Sequence, residues 1–282
     1  MIFTIATFKI KINSQLALFN FHESFYKNYN RFISKKRGHV DFTITIVPYS
    51  SFSLSSKKFV RRQRYFYHEK KGLFILKTTG TISCINTVTK KMSLGFKNKS
   101  QERKNNTILL AFVRLAVSLC TVLKGGLPFH CSAIAFGDRG IAFSGPSRAG
   151  KSTIAELLAM PGQLLNDDFN IILPYRKKTY RIHSTPFARL ETLKKCVNRG
   201  VDLRMIFFIE KSAGNAIENL LFKNKYIFTL SHSFIFPLSD FFGSKILNNA
   251  EHLCKSVECK RLYFNNNGAI RPFMYRYVGD LV

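Results

Sequence analysis

The chain has 282 residues, 46% of them hydrophobic, and carries 44 lysines and arginines against 16 aspartates and glutamates, a formal net charge of +28. This apolar content suffices for a folded core, which excludes a wholly disordered chain, and the apolar runs predict no membrane span because they fall short of ~20 residues. The charge favours an anionic partner, such as nucleic acid or an anionic membrane surface, but it is spread along the sequence.

The first third of the sequence is predicted to be a β-rich lobe, residues 1–106. Its apolar segments alternate or cluster over short lengths that are typical of strands. The N-terminal segment is interrupted by Lys9 and Lys11 and does not resemble a signal peptide. The predicted strands are residues 2–8, 41–47, 65–67, 73–76 and 81–85.

A polar, charged stretch over residues 97–106 marks the predicted boundary, and an α/β domain is expected over residues 107–282. Apolar residues at helical spacing predict a helix over 107–123, which stops at Gly125 and Gly126. Further along, the predicted strands are 131–136, 141–144, 163–165, 169–173 and 203–209, with a helix over 152–160.

The six cysteines show no C-x-x-C pair and no zinc-type spacing with histidine. Reduced and mostly buried thiols are the expectation, which favours a cytoplasmic protein.

One segment carries a specific chemical signal. Residues 145–152 match the pattern G-x-x-x-x-G-K-[ST], in which glycines let backbone N–H groups surround a phosphate at a helix N-terminus. The lysine reaches the β- and γ-phosphates and the serine hydroxyl holds Mg²⁺, so ATP and Mg²⁺ are the predicted ligands. The predicted nucleotide-binding residues are Gly145, Pro146, Ser147, Arg148, Ala149, Gly150, Lys151, Ser152 and Thr153.

Two adjacent acids, Asp167 and Asp168, follow sixteen and seventeen residues after Lys151, between strand-like runs. Neighbouring side chains on an extended segment point in opposite directions, so one can face a metal and the other an acceptor hydroxyl. An exposed turn without function is the alternative. His130 lies fifteen residues before Gly145, on the strand that enters the predicted hairpin, and a purely structural histidine is the alternative there.

The segments 128–133, 143–153 and 165–168, in this order and spacing, resemble the catalytic domain of HPr kinase/phosphorylase. The resemblance covers about residues 127–210 and implies an α/β (α+β) chain with a phosphoenolpyruvate-carboxykinase-like P-loop fold. Residues 184–187 and 203–210 more closely resemble the HPr kinase-like proteins encoded beside peptide-modification genes, including lasso-peptide kinases. For that group the acceptor is a serine on a peptide.

The resemblance implies roles for individual residues. Asp167 would accept the proton of the acceptor serine, Lys151 would bind the phosphates, and His130 would lie in the environment of the transferred phosphate or the metal. Ser152 and Asp168 would serve Mg²⁺. Arg189 and Arg204 are further candidates for stabilising transition-state charge, with structural ion pairs as the alternative.

The sequence also departs from the family pattern. Arg148 replaces the usual glycine at the fourth loop position, Thr153 replaces the acid that follows the loop serine, and Cys131 replaces the glycine after the histidine. No clear match to the later HPr-binding segment is visible, so a bifunctional HPr kinase is disfavoured.

Three hypotheses follow. The first is an ATP- and Mg²⁺-dependent kinase that phosphorylates a serine of a peptide or small protein. The second is a nucleotide-binding accessory protein that transfers nothing, which Arg148 and Thr153 favour. The third, nucleic-acid binding driven by charge, is disfavoured because no reading motif accompanies it. The acceptor, the choice among ATP, GTP and pyrophosphate, and the oligomeric state stay open.

Overall fold

The structure of the protein is a computed structural model, and it forms a mixed α/β architecture with two β-sheets. The chain divides into two compact units, Met1–Cys120 and Thr121–Val282. The described residues are 1–16, 23–34, 38–52, 60–62, 65–67, 69–70, 72–78, 80–97, 102–234, 240–265 and 269–279.

The first unit is built on a 9-stranded sheet. Its strands are β1 (Ile2–Ile5), β2 (Phe8–Ser14), β3 (Phe42–Pro48), β4 (Val60–Arg62), β5 (Tyr65–Tyr67), β6 (Glu69–Lys70), β7 (Leu73–Lys77), β8 (Thr81–Asn86) and β9 (Lys91–Phe96). The order is β1-β2-β3-β9-β8-β7-β5-β4, with β6 paired to β7. Helix α1 (Glu23–Tyr29) follows β2 in the chain.

The N-terminal strand differs from the prediction. The single strand expected over residues 2–8 is a hairpin, because the chain reverses at Ala6 and Thr7, where Ala6 has a φ of 54°. Phe3 and Ile5 before the turn and Phe8 and Ile10 after it are all buried, so the alternation of buried residues shifts by one position at the turn. The prediction assigned the apolar residues on both sides of the turn to one strand, which this shift excludes.

Helix α2 (Glu102–Leu123) contains the helix predicted over 107–123 but begins earlier. Contrary to the expectation that no apolar run reaches spanning length, residues 105–123 are long and apolar enough to cross a bilayer, the one such stretch among the described residues. Of this stretch, 61% is buried inside the protein. Such burial is typical of the core helix of a folded domain, so the stretch is weak evidence for a membrane-spanning helix. The two compact units divide within α2, and the domain boundary at residue 106 stays a prediction.

The second unit is built on an 8-stranded sheet of mixed direction. Its strands are β10 (Leu127–Phe136), β11 (Arg139–Ser144), β12 (Leu164–Asn166), β13 (Phe169–Pro174), β14 (Tyr180–His183), β15 (Gly200–Lys211), β16 (Ala216–Asn219) and β17 (Glu258–Phe264). The order is β11-β10-β13-β14-β15-β17-β16, with β12 also paired to β10. Because β11 pairs with β15 as well, five of these strands close into a ring.

Five helices of the second unit follow α2 among the described residues. They are α3 (Lys151–Leu158), α4 (Leu190–Lys195), α5 (Phe222–Ser231), α6 (Asp240–Ser256) and α7 (Ile270–Gly279). Ile154, Ala155 and Leu158 of α3 are buried in one apolar cluster with Phe143 and Phe207 of the sheet. This packing holds the helix, and the loop before it, against the sheet, next to β10 and β11.

The predicted elements of this unit largely match those observed. The antiparallel hairpin of β10 and β11 and the helix after the loop are present, and the apolar run 203–209 lies within β15, parallel to β11.

The six cysteines are free, and five of them are buried, as expected.

Candidate functional site

The loop over residues 145–150 joins β11 to α3. Gly150 precedes the first helical residue with a φ of 101°, a conformation that favours glycine. A Cβ atom at Gly150 would lie 2.6 Å from Cζ of Phe264, so the position also needs glycine for space. The sequence identified the glycine, while its aromatic neighbour on β17 came only from the structure.

The Lys151 side chain is bound to its own loop. Its Nζ donates hydrogen bonds to the carbonyl oxygens of Gly145, at 2.8 Å, and Pro146, at 3.0 Å. Burial lowers the pKa of the lysine, and the negative charge of Asp168 opposes this effect. A phosphate bound in the loop would replace these carbonyls as the partner of the ammonium group.

The two aspartates lie in a turn between β12 and β13 that Asn166 builds. The Asn166 Oδ1 accepts hydrogen bonds from the backbone N–H groups of Asp168, at 2.8 Å, and Phe169, at 3.1 Å. Its Nδ2 donates to the carbonyl oxygen of Thr185 at 2.8 Å. This fully buried asparagine therefore fixes the backbone that carries the acidic pair.

Asp167 is buried, and its neighbours approach only one of its two carboxylate oxygens. Its Oδ2 accepts a hydrogen bond from Oγ1 of Thr192 at 3.0 Å and lies 3.8 Å from Nε of Arg189. Its Oδ1 is buried and accepts no hydrogen bond from the described residues. Burial raises the pKa of this carboxyl, while Thr192 and Arg189 oppose the rise. The orphaned oxygen is available for a group that enters the cavity.

His130 and Asp168 form a pair next to the loop. The Nε2 of His130 lies 3.2 Å from Oδ1 of Asp168, and both side chains are partly exposed. The register of β10 against β13 places His130 opposite Phe169, the residue after Asp168. The Ser144 hydroxyl, at the end of β11, donates to the carbonyl oxygen of His130 at 2.9 Å. The hairpin thus returns His130 to the start of the loop, as its spacing suggested.

These groups line one cavity of about 580 Å³. Its lining residues are His130, Ser147, Arg148, Gly150, Lys151, Ser152, Thr153, Asp167, Asp168, Arg189, Lys211 and Phe264. Of the predicted loop residues, Gly145, Pro146 and Ala149 belong to the loop but not to this lining. Arg204 is exposed on β15 and is likewise not among the lining residues, unlike Arg189.

Sequence reasoning missed several contributors to this site. Thr192 and Lys211 belong to no motif, and the sequence predicted no role for Asn166. His232 was also missed, although its backbone carbonyl accepts a hydrogen bond from the N–H of His130 at 2.8 Å. Burial lowers the pKa of His232.

The oxygen donors fit a hard divalent cation with few protein ligands. Ser152 and Asp168 line the same cavity and supply a hydroxyl and a carboxylate, the oxygen ligands that Mg²⁺ prefers alongside water and phosphate. The described residues contain no cluster of three or more His, Cys, Asp or Glu side chains that would hold a metal by themselves. Such a cation would therefore depend on a bound phosphate for its remaining ligands.

The comparisons with known proteins include a weak structural likeness and a family match. No curated protein matches the chain. The Hpr(Ser) kinase/phosphatase from Coxiella burnetii is 11% identical, and the match covers 54% of this chain and 94% of that one with a TM-score of 0.31. Residues 96–236, half of the chain, match the family model described as SynChlorMet cassette protein ScmC. That stretch includes His130, the loop and both aspartates, and the chain belongs to the ScmC family.

Proposed function

We propose that this protein is an ATP- and Mg²⁺-dependent kinase that transfers phosphate to a serine hydroxyl of a peptide or small protein. The observation that carries the proposal is the shared cavity, in which the phosphate-type loop faces a buried aspartate with one unsatisfied oxygen. A loop that bound no ligand would leave the unsatisfied carboxylate oxygen in the same cavity unexplained.

The loop is the proposed donor site. Backbone N–H groups of the loop and the N-terminus of α3 would bind the phosphates, and Lys151 would exchange its two carbonyl partners for phosphate oxygens. Ser152 and Asp168 would hold Mg²⁺, which neutralises phosphate charge when bound. His130, bound to Asp168, is proposed as a positioning residue that orients this carboxylate.

Asp167 is the proposed base. Its free Oδ1 would accept the proton of the serine hydroxyl while the serine oxygen bonds to the γ-phosphorus and the bond from that phosphorus to the bridging oxygen breaks. The products are phosphoserine and ADP, and the proton stays on Asp167 until water removes it. Because burial raises its pKa, Asp167 is a stronger base than an exposed aspartate.

The resemblance to HPr kinase-like proteins supports serine as the acceptor, and a phosphoenolpyruvate-carboxykinase-like P-loop fold is part of the same proposal. The family description names a cassette, so proteins and peptides encoded in that cassette are the first acceptors to test.

The test uses the full chain with ATP, Mg²⁺ and each cassette-encoded peptide, with phosphoserine measured by mass spectrometry. We expect phosphorylated peptide from the wild type, none after EDTA treatment, and a rate of phosphorylation at least about 10³-fold lower in Asp167→Asn. Isothermal titration should show that Asp167→Asn still binds ATP, whereas Lys151→Ala binds it more weakly. ATP binding without transfer to any acceptor would select the accessory protein, and no ATP binding would overturn the proposal.

A further inference from the structure

Arg148 adopts a backbone conformation that is unfavourable for its side chain. Its φ is 65°, in the left-handed region, where a residue with a Cβ atom is strained and glycine is not. It lies at the fourth position of the loop, next to Ala149 and Gly150. A strained non-glycine residue within a candidate site suggests that its side chain has a use there.

The second observation on Arg148 is that its guanidinium lacks a bonding partner among the described residues. It lines the cavity, yet it forms no hydrogen bond or ion pair with any described residue. Lys151 is bound to two loop carbonyls, and Arg189 lies beside Asp167. Lys211, on the wall formed by β15, is the other cavity cation without such a partner among the described residues.

We infer that Arg148 binds the terminal phosphate of the donor nucleotide, as a cation that the loop itself supplies. The inference rests on the proposed function, because it requires a triphosphate in the loop. A guanidinium fork matches phosphate oxygens and forms charge-assisted hydrogen bonds with them. A cation at this phosphate stabilises the charge on its oxygens during transfer, where electrostatics provides most of the catalysis. Arg148 would thus be a catalytic residue.

Arg148→Gly tests the inference because it predicts two opposite effects. Removing the strain should raise the thermal midpoint by about 2 °C. Removing the guanidinium should lower the rate of phosphate transfer about 10²–10³-fold. It should weaken ATP binding about tenfold and leave ADP binding unchanged, because ADP lacks the terminal phosphate. Arg148→Asn, which tolerates the left-handed region better than arginine does, should lose transfer and raise the midpoint by less than Arg148→Gly.

Lys178→Gly is the matched control. Lys178 is also a cation in the left-handed region, with a φ of 60°, and it lies exposed in the turn between β13 and β14, outside the cavity lining. This variant should raise the midpoint by a similar amount and leave ATP binding and transfer at wild-type levels.

The outcomes separate the inference from the proposed function. If the wild type is active and Arg148→Gly transfers phosphate at the same rate, the inference is overturned and the proposed function is not. Equal losses of ATP and ADP affinity would overturn it too, by showing that the side chain contacts the nucleotide elsewhere. A wild type that binds neither ATP nor ADP would overturn the inference and the proposed function together. In that case Lys151→Ala would bind the nucleotides no more weakly than the wild type.

Discussion

At Asp167, burial and hydrogen bonding act on the pKa in opposite directions. Burial is the larger effect and raises it, while the Thr192 hydroxyl and Arg189 favour the charged form and lower it. The two opposing groups both approach Oδ2, which leaves Oδ1 unengaged by described residues. The residues around this carboxylate therefore set both its basicity and its orientation.

Thr192→Val should change the pH dependence of transfer. The variant removes a hydrogen bond that stabilises the carboxylate, so the pKa of Asp167 should rise further and the acid limb of kcat/KM should move to higher pH. We also expect kcat to fall about tenfold, because the carboxylate is less well held. Thr192→Ser keeps the hydroxyl and should retain the wild-type profile. An acid limb that does not move in Thr192→Val would contradict this role.

His183 should make stability depend on pH. Burial, with a smaller effect from Arg181, lowers its pKa from 6.5 to about 4. The unfolded chain then binds more protons than the folded one between these values, so this contribution is fully present above pH 6.5 and is lost as the pH falls towards 4. From pH 7 to pH 5 the loss is about 2 kcal/mol.

Urea unfolding of the wild type and His183→Gln at both pH values measures this contribution. The wild type should lose about 2 kcal/mol more than the variant over that interval. Equal losses in the two proteins would show that His183 does not titrate differently in the folded and unfolded states.

Among the elements, strand β10 determines where the acidic pair lies. Its first half pairs with β13 and its second half with β12, and the two aspartates occupy the gap between those partners. Side chains satisfy the backbone there, since Ser132 Oγ donates to the carbonyl of Asp167 at 3.0 Å and Asn170 Nδ2 donates to that of Cys131 at 2.8 Å. The gap between β12 and β13 along β10 is therefore held by side-chain hydrogen bonds and is not a frayed strand end.

The closed ring of strands leaves no room at Gly140 of β11. A Cβ atom there would lie 2.6 Å from Cγ2 of Val201 and 2.8 Å from Cγ2 of Ile182. Gly140→Ala should therefore lower the free energy of unfolding by about 2 kcal/mol, measured by urea unfolding. Gly243→Ala is the control, since Gly243 lies within helix α6 and its added Cβ would meet no atom within 4 Å beyond its chain neighbours and the backbone of its own helix. It should stabilise the protein by about 0.5–1 kcal/mol. Equal effects of the two substitutions would contradict the close packing of the ring.

For the whole molecule, the net charge of +28 has consequences that no single pair explains. Residues 1–110 carry 21 basic and 4 acidic residues, so the excess does not gather at the cavity of the second unit. Like charges repel across the compact state and salt screens them.

Stability should consequently rise with ionic strength. We expect the thermal midpoint to increase between 20 mM and 300 mM NaCl by at least about 2 °C, because screening removes repulsion in the folded state. Potassium acetate should give the same increase, which separates screening from chloride binding. A midpoint that falls with both salts would mean that favourable ion pairs outweigh the repulsion.

Much of the fold was accessible from the sequence where the signal is local. The helix over 107–123, the β10–β11 hairpin and the buried strand around 203–209 each follow from periodicity or an apolar run within one segment. The turn at Ala6 was missed because the apolar residues on both sides of it were assigned to one strand, although their alternation shifts by one residue there. Which strands become neighbours, including the pairing of β11 with β15, depends on contacts between distant segments.

The sequence by itself determined the loop, the glycine at 150, the paired aspartates and the histidine that precedes them, because each depends on residue type at a fixed short spacing. Only the tertiary structure decided what surrounds them. Thr192 reaches Asp167 across 25 residues of chain, and Phe264 fills the space beside Gly150. Burial and hydrogen bonding between such segments set the pKa and orientation of a carboxylate, and no short motif encodes them.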